Sequence, residues 1–405
     1  MTDERETGGM DFANRDRERS AGTETISVLS PLAGRDVRPD KEGSFRRSIA
    51  GAIVATVVAF TWSAAPALTA ERTAAATVGA AVEGFVKPAY AAYHSSTTAL
   101  KSSVDGLCAK PSAEALAAAR SAFDRTVAAW SGVEIIRIGP VTEENRLERT
   151  LYWPDRKGIG LKQVQAAIAQ GDATVTEASQ LSGKSVAMQG LGALEFVLFG
   201  TDSDALEKGE PFRCAYAAAI SANLDSIADA VQKGWDGPSG FGAAWGDPSP
   251  ANPFYRNDDE ALTDLLEVFV NGLELVRDQR VNSFLGETEK ADKPRQALFW
   301  RSDNTATALA GNLTGMRALF IASDLAATLP ENSRWIAQSI DFEFGNAIHA
   351  AEGASGAVAE VLADPAQRSK LAYFKLVTTS LSDLFGKRLS GELGLTAGFS
   401  SLDGD

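Results

Sequence analysis

The sequence predicts an all-α protein built from two packed antiparallel helical bundles that are distant copies of each other. Apolar residues recur at spacings of three and four along most of the chain, which is the period of a helix with one buried face. Alanine is abundant, and runs of β-branched residues are scarce. Leu151-Tyr152-Trp153 and Leu298-Phe299-Trp300 each follow a long helical pattern and precede another, which favours an internal duplication.

The first bundle is predicted over residues 74–234. Its first helix carries Tyr90 and Tyr93 on one face, and Ser112 is placed to cap the second. The predicted helices are Ala74 to Leu107, Ser112 to Trp130, Asn145 to Trp153, Leu161 to Gly171, Thr174 to Leu181, Ser185 to Phe199 and Phe212 to Gly234.

Residues 235–257 are rich in glycine and proline, which interrupt helices, and are predicted to form an interdomain loop. Helical periodicity resumes after this segment, so the second bundle is predicted over residues 258–405. Its predicted helices are Asp258 to Phe284, Arg295 to Trp300, Thr305 to Phe320, Glu331 to Glu352 and Leu371 to Leu384.

The N-terminal part of the chain is predicted to lie outside the fold. Residues 1–45 mix charged residues with glycine and serine and contain few large apolar residues, which is typical of disorder. Residues 46–67 combine a basic flank, a short apolar run and a small-residue cleavage site, and they are predicted to be a signal peptide. The alternative is an uncleaved membrane anchor. Either reading places the protein in the periplasm or cell envelope.

The formal net charge of −14 argues against nucleic acid as a partner, because phosphate binding needs a basic surface. An acidic surface is compatible with attracting cations, but it is also typical of soluble proteins in general. Contact with a membrane is expected only through the N-terminal segment, if that segment is retained.

The chain contains two cysteines, Cys108 and Cys214, and each lies at a predicted helix border. Export would place them where a disulfide can persist, so we expect them to be paired. Two free buried thiols are the alternative.

Residues 189–200 form a helical stretch that is apolar on every side except at Glu195, its one charged residue. A helix that is apolar on every side is normally buried, and a buried carboxylate needs a partner. Arg301 is the first choice, since a guanidinium can satisfy both carboxylate oxygens. Arg137 and Arg149 are the alternatives.

Other carboxylates and polar groups beside large apolar residues are candidates for the same binding site. Glu134 and Asp155 lie at predicted helix ends, where capping a helix or pairing with an arginine are the alternatives. Asp303 and Asn304 belong with Arg301 to the most polar cluster of the second half.

The chain has only two histidines, so a conventional zinc peptidase site has few ligands to draw on. His349 and Glu352 are three residues apart on a predicted helix, and this spacing places both side chains on one face as a candidate metal pair. An exposed hydrogen-bonded pair is the alternative. His94 is expected to be a partly buried structural residue.

Several motifs together resemble the imelysin family of bacterial envelope proteins over roughly residues 75–405. They are the stretches Gly190 to Gly200, Leu151 to Asp155, Trp300 to Thr305 and Gly394 to Asp405. The resemblance implies an exported, all-helical protein with two bundle-like halves. The family is named after an insulin-cleaving envelope peptidase, and other members are tied to iron uptake or are regulated by iron.

The family's signature, Gly-x-His-x-x-Glu, maps onto Gly190 to Glu195, and Gly192 stands in the histidine position. A glycine can neither bind a metal through a side chain nor accept a proton. Taken as a whole, the resemblance implies an envelope protein that binds a ligand or a metal and is linked to iron uptake. Iron or another divalent metal is the candidate cofactor, and an iron-uptake system is the candidate partner. A metallopeptidase and a structural scaffold with a degenerate site are the alternatives.

Overall fold

The computed structural model describes residues 73–395, and every regular element among them is a helix or helical turn. The prediction of an all-α fold is confirmed. The predicted disordered segment 1–45, the predicted signal peptide 46–67 and the end of the C-terminal motif lie outside the described residues.

The first half contains eight α-helices. Ser112 caps the third of them, because its hydroxyl accepts the backbone N–H of Ala115 at 3.1 Å. The helices are α1 (Ala74–Ala81), α2 (Lys87–Ala109), α3 (Ala113–Val133), α4 (Arg146–Thr150), α5 (Ile159–Gln170), α6 (Ala178–Leu181), α7 (Leu191–Phe199) and α8 (Pro211–Trp235).

The second half continues the same architecture. Its helices are α9 (Phe241–Gly246), α10 (Asp258–Glu274), α11 (Asn282–Phe284), α12 (Thr305–Ser323), α13 (Trp335–Glu352), α14 (Val358–Ala363), α15 (Pro365–Asp383) and α16 (Ser390–Glu392). Turns of π-helix over Val82–Val86, Leu275–Val281 and Leu384–Leu389 join consecutive α-helical segments.

Among the differences from the prediction, two concern segments between the main helices. The segment 235–257 contains the short helix α9, because Trp245 is fully buried and its indole N–H donates to the carbonyl of Ala261 at 3.0 Å. The predicted helix from Arg295 to Trp300 is a single 3-10 turn, Pro294–Gln296, followed by irregular chain. Phe299 there has a φ of 56°, which a right-handed helix cannot accommodate.

The two halves meet where α3 crosses α12. A Cβ atom on Gly315 would lie 1.9 Å from the carbonyl oxygen of Gly132, so the backbones approach to a distance that only glycine allows. Asn312 also donates to the carbonyl of Ser131 at 2.8 Å. Helix α3 is packed against α2 on one side and α12 on the other. The internal duplication stays a prediction.

The two cysteines are joined as predicted. A disulfide links Cys108 at the end of α2 to Cys214 in the first turn of α8, with Cα atoms 5.5 Å apart. The pair closes a covalent loop with a sequence separation of 106 residues. It therefore fixes two helices of the first half against each other.

Among the described helices, none is both long and apolar enough to cross a lipid bilayer.

Replacing both cysteines by alanine should lower the free energy of unfolding, by up to about 5 kcal/mol for a loop of this length in the chain-entropy model. Urea denaturation of the exported protein and of the double variant measures the difference. Wild-type protein with reduced thiols is the matched control and should behave like the variant. Equal unfolding midpoints for all three samples would contradict the stabilising role of the disulfide.

Candidate functional site

Helix α7 is almost wholly buried, and a glycine lies at each of its ends. A Cβ on Gly190 would lie 2.4 Å from the carbonyl oxygen of Thr150, so only glycine allows the start of α7 to pack this closely against the end of α4. At the other end, a Cβ on Gly200 would lie 2.4 Å from the carbonyl oxygen of Phe196 in α7 itself.

Glu195 lies on α7 and is 4% exposed. Its Oε1 accepts the backbone N–H groups of Arg301 and Ser302, at 3.0 and 3.1 Å, and the Ser302 hydroxyl at 3.0 Å. The Arg301 guanidinium contributes an ion pair, with Nη1 at 3.9 Å from Oε2. The structure therefore brings together the two residues that the sequence paired, but the backbone supplies most of the donors.

The loop that meets Glu195 is shaped by two residues with left-handed backbone. Phe299 and Asp303 both have a φ of 56° and flank the segment that presents successive N–H groups to the carboxylate. The side-chain amide of Asn304 anchors this loop to α3, since it donates to Asp124 Oδ1 at 2.6 Å and to the Ser302 carbonyl at 3.2 Å.

The guanidinium groups of Arg301 and Arg295 lie over aromatic rings. The Arg301 guanidinium carbon lies 4.3 Å from the centroid of the Trp300 ring and 5.5 Å from that of Phe196. Arg295 also lies over Trp300, at 5.8 Å. Burial lowers the pKa of Arg301, Glu195 raises it, and the charge of Arg295 lowers it further. Both guanidinium groups therefore contact the Trp300 ring, and their positive charges repel each other.

A cavity of about 180 Å³ opens beside Glu195, between α5, α7 and the loop of Arg301. Gly192 faces it: within the described part of the chain, no atom outside the local backbone would come within 4 Å of a Cβ there. Since a glycine has no side chain, this position leaves the cavity open. The opposite wall includes Leu151, Tyr152, Trp153, Leu161 and Val164.

A second cavity of about 490 Å³ shares Arg295, Trp300 and Arg301 with the first. Asp303 lines this outer cavity, and burial together with the nearby Glu360 raises the pKa of its carboxyl. Arg295 and Arg301 therefore lie between the two cavities and contact both.

Asp155 lines the first cavity but is committed to helix α5. Its Oδ1 accepts the N–H of Ile159 at 2.8 Å, and its Oδ2 accepts that of Leu161 at 3.1 Å. The carboxylate therefore caps the helix N-terminus, which is the structural alternative that the sequence offered.

Glu134 lines neither of these two cavities, so the structure does not bring it together with Glu195 and Arg301. It is buried at the end of α3, where it pairs with the buried Arg280 and accepts a hydrogen bond from Asn312 at 3.3 Å. This pair belongs to the contact between the two halves. A carboxylate at a helix end next to aromatic residues does not reveal which distant cation it meets.

The predicted metal pair of His349 and Glu352 lies exposed on α13, away from the cavity. In residues 73–395 no group of three or more histidine, cysteine, aspartate or glutamate residues is placed to hold a metal ion. His94 instead contacts Gln232 through Nδ1 at 2.8 Å and lies 3.6 Å from Asp225.

Arg149 and Arg137, the two alternative partners predicted for Glu195, do not pair with it. Arg149 donates to Gln189 and Asn223, at 2.9 and 2.8 Å. Arg137 lines a separate cavity beside α10.

The donors around Glu195 do not fit a resident metal ion. The carboxylate already accepts three hydrogen bonds and faces a guanidinium, and Gly192 supplies no side chain. A cation placed there would have to displace an arginine of like charge. The arrangement instead offers guanidinium groups, aromatic faces and an open volume, which together suit a small ligand.

Sequence reasoning missed Ser302, Arg295 and Phe196 as parts of this site. Ser302 follows Arg301 directly, but a serine hydroxyl carries no sequence signal of its own. Arg295 was assigned to a helix that does not form, so its position beside Trp300 could be seen only in the structure.

The sequence model of the Peptidase_M75 family, described as imelysin, matches residues 86–384. The chain therefore belongs to the imelysin family. No curated protein matches it significantly.

The solved structures that are similar to this chain include the following two. One is an imelysin-like protein from Psychrobacter arcticum, with a TM-score of 0.65 and 19% identity, covering 80% of this chain and 97% of that one. The other, from Parabacteroides distasonis, is described as an iron-regulated protein A precursor, with a TM-score of 0.63, 17% identity and coverages of 80% and 95%. At these identities the likeness shows the fold.

Burial raises the pKa of the Glu195 carboxyl above its usual value, against the opposing effects of Arg301 and Ser302. A folded-state pKa above the unfolded one means that the folded chain holds a proton that the unfolded chain releases. The free energy of unfolding that Glu195 contributes should therefore fall as pH rises from about 4 to the raised pKa, and then stay constant.

Urea unfolding of wild type and of Glu195→Gln across this pH range isolates the contribution, because the variant lacks the titrating group. The same substitution at the exposed Glu148 is the matched control and should leave the pH profile unchanged. A Glu195 contribution that rises with pH would show that the donors outweigh the cost of burial.

Proposed function

We propose that this chain is an exported cell-envelope protein that binds a small ligand in the cavity beside Gly192 and Glu195 and serves iron acquisition. The observation that carries the proposal is this cavity, whose lining combines the hydrogen-bonded carboxylate of Glu195 with arginine and tryptophan side chains. Small-molecule sites are concave and largely apolar, with a few fixed polar groups.

Binding fits the residues of the cavity better than peptide hydrolysis does. A catalytic zinc ion usually keeps three protein ligands and an open position for water. Gly192 supplies no ligand, and the Glu195 carboxylate is already occupied by three hydrogen-bond donors and the ion pair with Arg301, which compete with a metal ion or a water molecule for it. This combination supports a receptor role.

Export and the link to iron rest on two further observations. Residues 46–67 have the sequence pattern of a signal peptide. The structurally similar Parabacteroides distasonis protein is described as an iron-regulated precursor. An iron-uptake system of the same envelope would be the partner that receives the ligand.

A growth experiment tests the cavity and the iron role together. Deletion of the gene in its own bacterium should slow growth when a chelator limits iron, and the wild-type gene should restore growth. Gly192→Phe should fail to restore it, because the ring would occupy the cavity while its Cβ meets free space. Growth rate in iron-limited and iron-replete medium is the measurement.

Gly345→Phe is the matched control, since Gly345 is also a helical glycine around which the described residues leave open space, on α13 and away from both cavities. It should restore growth like the wild type at equal protein level. Full restoration by Gly192→Phe would show that the cavity is not the functional site. Normal growth of the deletion strain in both media would contradict the role in iron acquisition.

A further inference from the structure

We propose that the ligand of this cavity is a small anion with more than one carboxylate or phosphate group, held between the guanidinium groups of Arg295 and Arg301. The inference rests on the proposed function and names the chemical class of its ligand.

The two arginines have unused donors. Within residues 73–395, the Arg301 guanidinium makes no hydrogen bond, and its one ion pair, with Glu195, is 3.9 Å long. The side chain of Arg295 contacts Trp300 and pairs with no carboxylate in the same part of the chain. A guanidinium presents five N–H donors in a planar fork that matches carboxylate and phosphate groups, so both side chains can accept an anion.

The surrounding charges favour a negative ligand. Arg295 and Arg301 repel each other: burial is the main cause of the lowered pKa of Arg301, and the charge of Arg295 lowers that pKa further. The carboxylate of Glu195 is held by its hydrogen-bond donors and by the ion pair with Arg301, and both oxygens of Asp155 are used by α5. Asp303 is the remaining carboxylate at the outer cavity, and its raised pKa means that its charge is costly there. An anion between the arginines would relieve their repulsion.

The volume indicates a molecule larger than a single inorganic ion. Arg295, Trp300 and Arg301 line both the cavity of about 180 Å³ and the outer one of about 490 Å³. A ligand with several anionic groups could place one in each space and contact the Trp300 ring with its carbon skeleton. An iron ion would then arrive as an anionic chelate, because a bare cation would face two guanidinium groups.

Isothermal titration calorimetry of the exported protein with inorganic phosphate, citrate and ferric citrate tests the inference. Wild type should bind at least one of these anions, and higher salt should weaken binding. Arg295→Gln should weaken it by about tenfold or more, since a charge-assisted hydrogen bond is lost at an exposed side chain. Arg388→Gln removes one positive charge from an exposed residue that lines neither cavity, and it should change the affinity by less than about twofold.

The three probes distinguish the possible ligands. Binding of citrate alone indicates a free carboxylate ligand, and binding of ferric citrate alone indicates an iron chelate. Binding of phosphate indicates a phosphate ester. Lack of binding to all three, or equal affinity in wild type and Arg295→Gln, overturns the inference. If that occurs while Gly192→Phe still fails to support iron-limited growth, the ligand class is wrong and the proposed function stands.

Discussion

The carboxylate of Glu195 is the interaction on which the candidate site depends. A buried charge is tolerated only when donors surround it, and here the donors are two backbone N–H groups, a serine hydroxyl and a guanidinium. Because all four donors belong to the consecutive loop residues Arg301 and Ser302, satisfying the charge also fixes the loop. The carboxylate of Glu195, in the first half, thereby fixes the position of the Arg301 loop, which forms the second half's part of the cavity wall.

Close contacts elsewhere in the fold position α7 and the Arg301 loop relative to each other. Close backbone contact at Gly190 sets the position of α7, and the crossing at Gly132 and Gly315 sets α12 against α3. Asn304 ties the start of α12 to α3 by its hydrogen bond to Asp124. Since these contacts involve glycines and buried polar groups, few other residues could take their places, and the cavity geometry is correspondingly fixed.

Periodicity was sufficient to predict most of the fold. Helical spacing located the long helices, and the positions of Cys108 and Cys214 at helix borders were compatible with their pairing. The irregular loop at 297–304 could not be predicted, because its shape comes from left-handed residues that pattern alone does not identify. Helix α9 was missed for a related reason: burial of Trp245 outweighs the flanking glycines and prolines.

The site was partly predictable for the same physical reasons. A lone charge in an apolar helix signals a buried partner, so Glu195 and Arg301 could be paired from sequence, but the backbone character of the contact could not. Glu134 gave the same kind of signal and belongs to a different buried pair, with Arg280. Charge and apolar context thus show that a partner exists, whereas only the three-dimensional structure shows where it lies.

Amide hydrogen exchange at Arg301 and Ser302 tests most directly whether Glu195 holds the loop. In wild type, both amides should exchange slowly, because they donate to a buried carboxylate. In Glu195→Ala, both should exchange much faster, while amides in the middle of α13 keep their rates. Unchanged slow exchange at Arg301 and Ser302 in the variant would contradict the account, because it would show that the loop keeps its shape without the carboxylate.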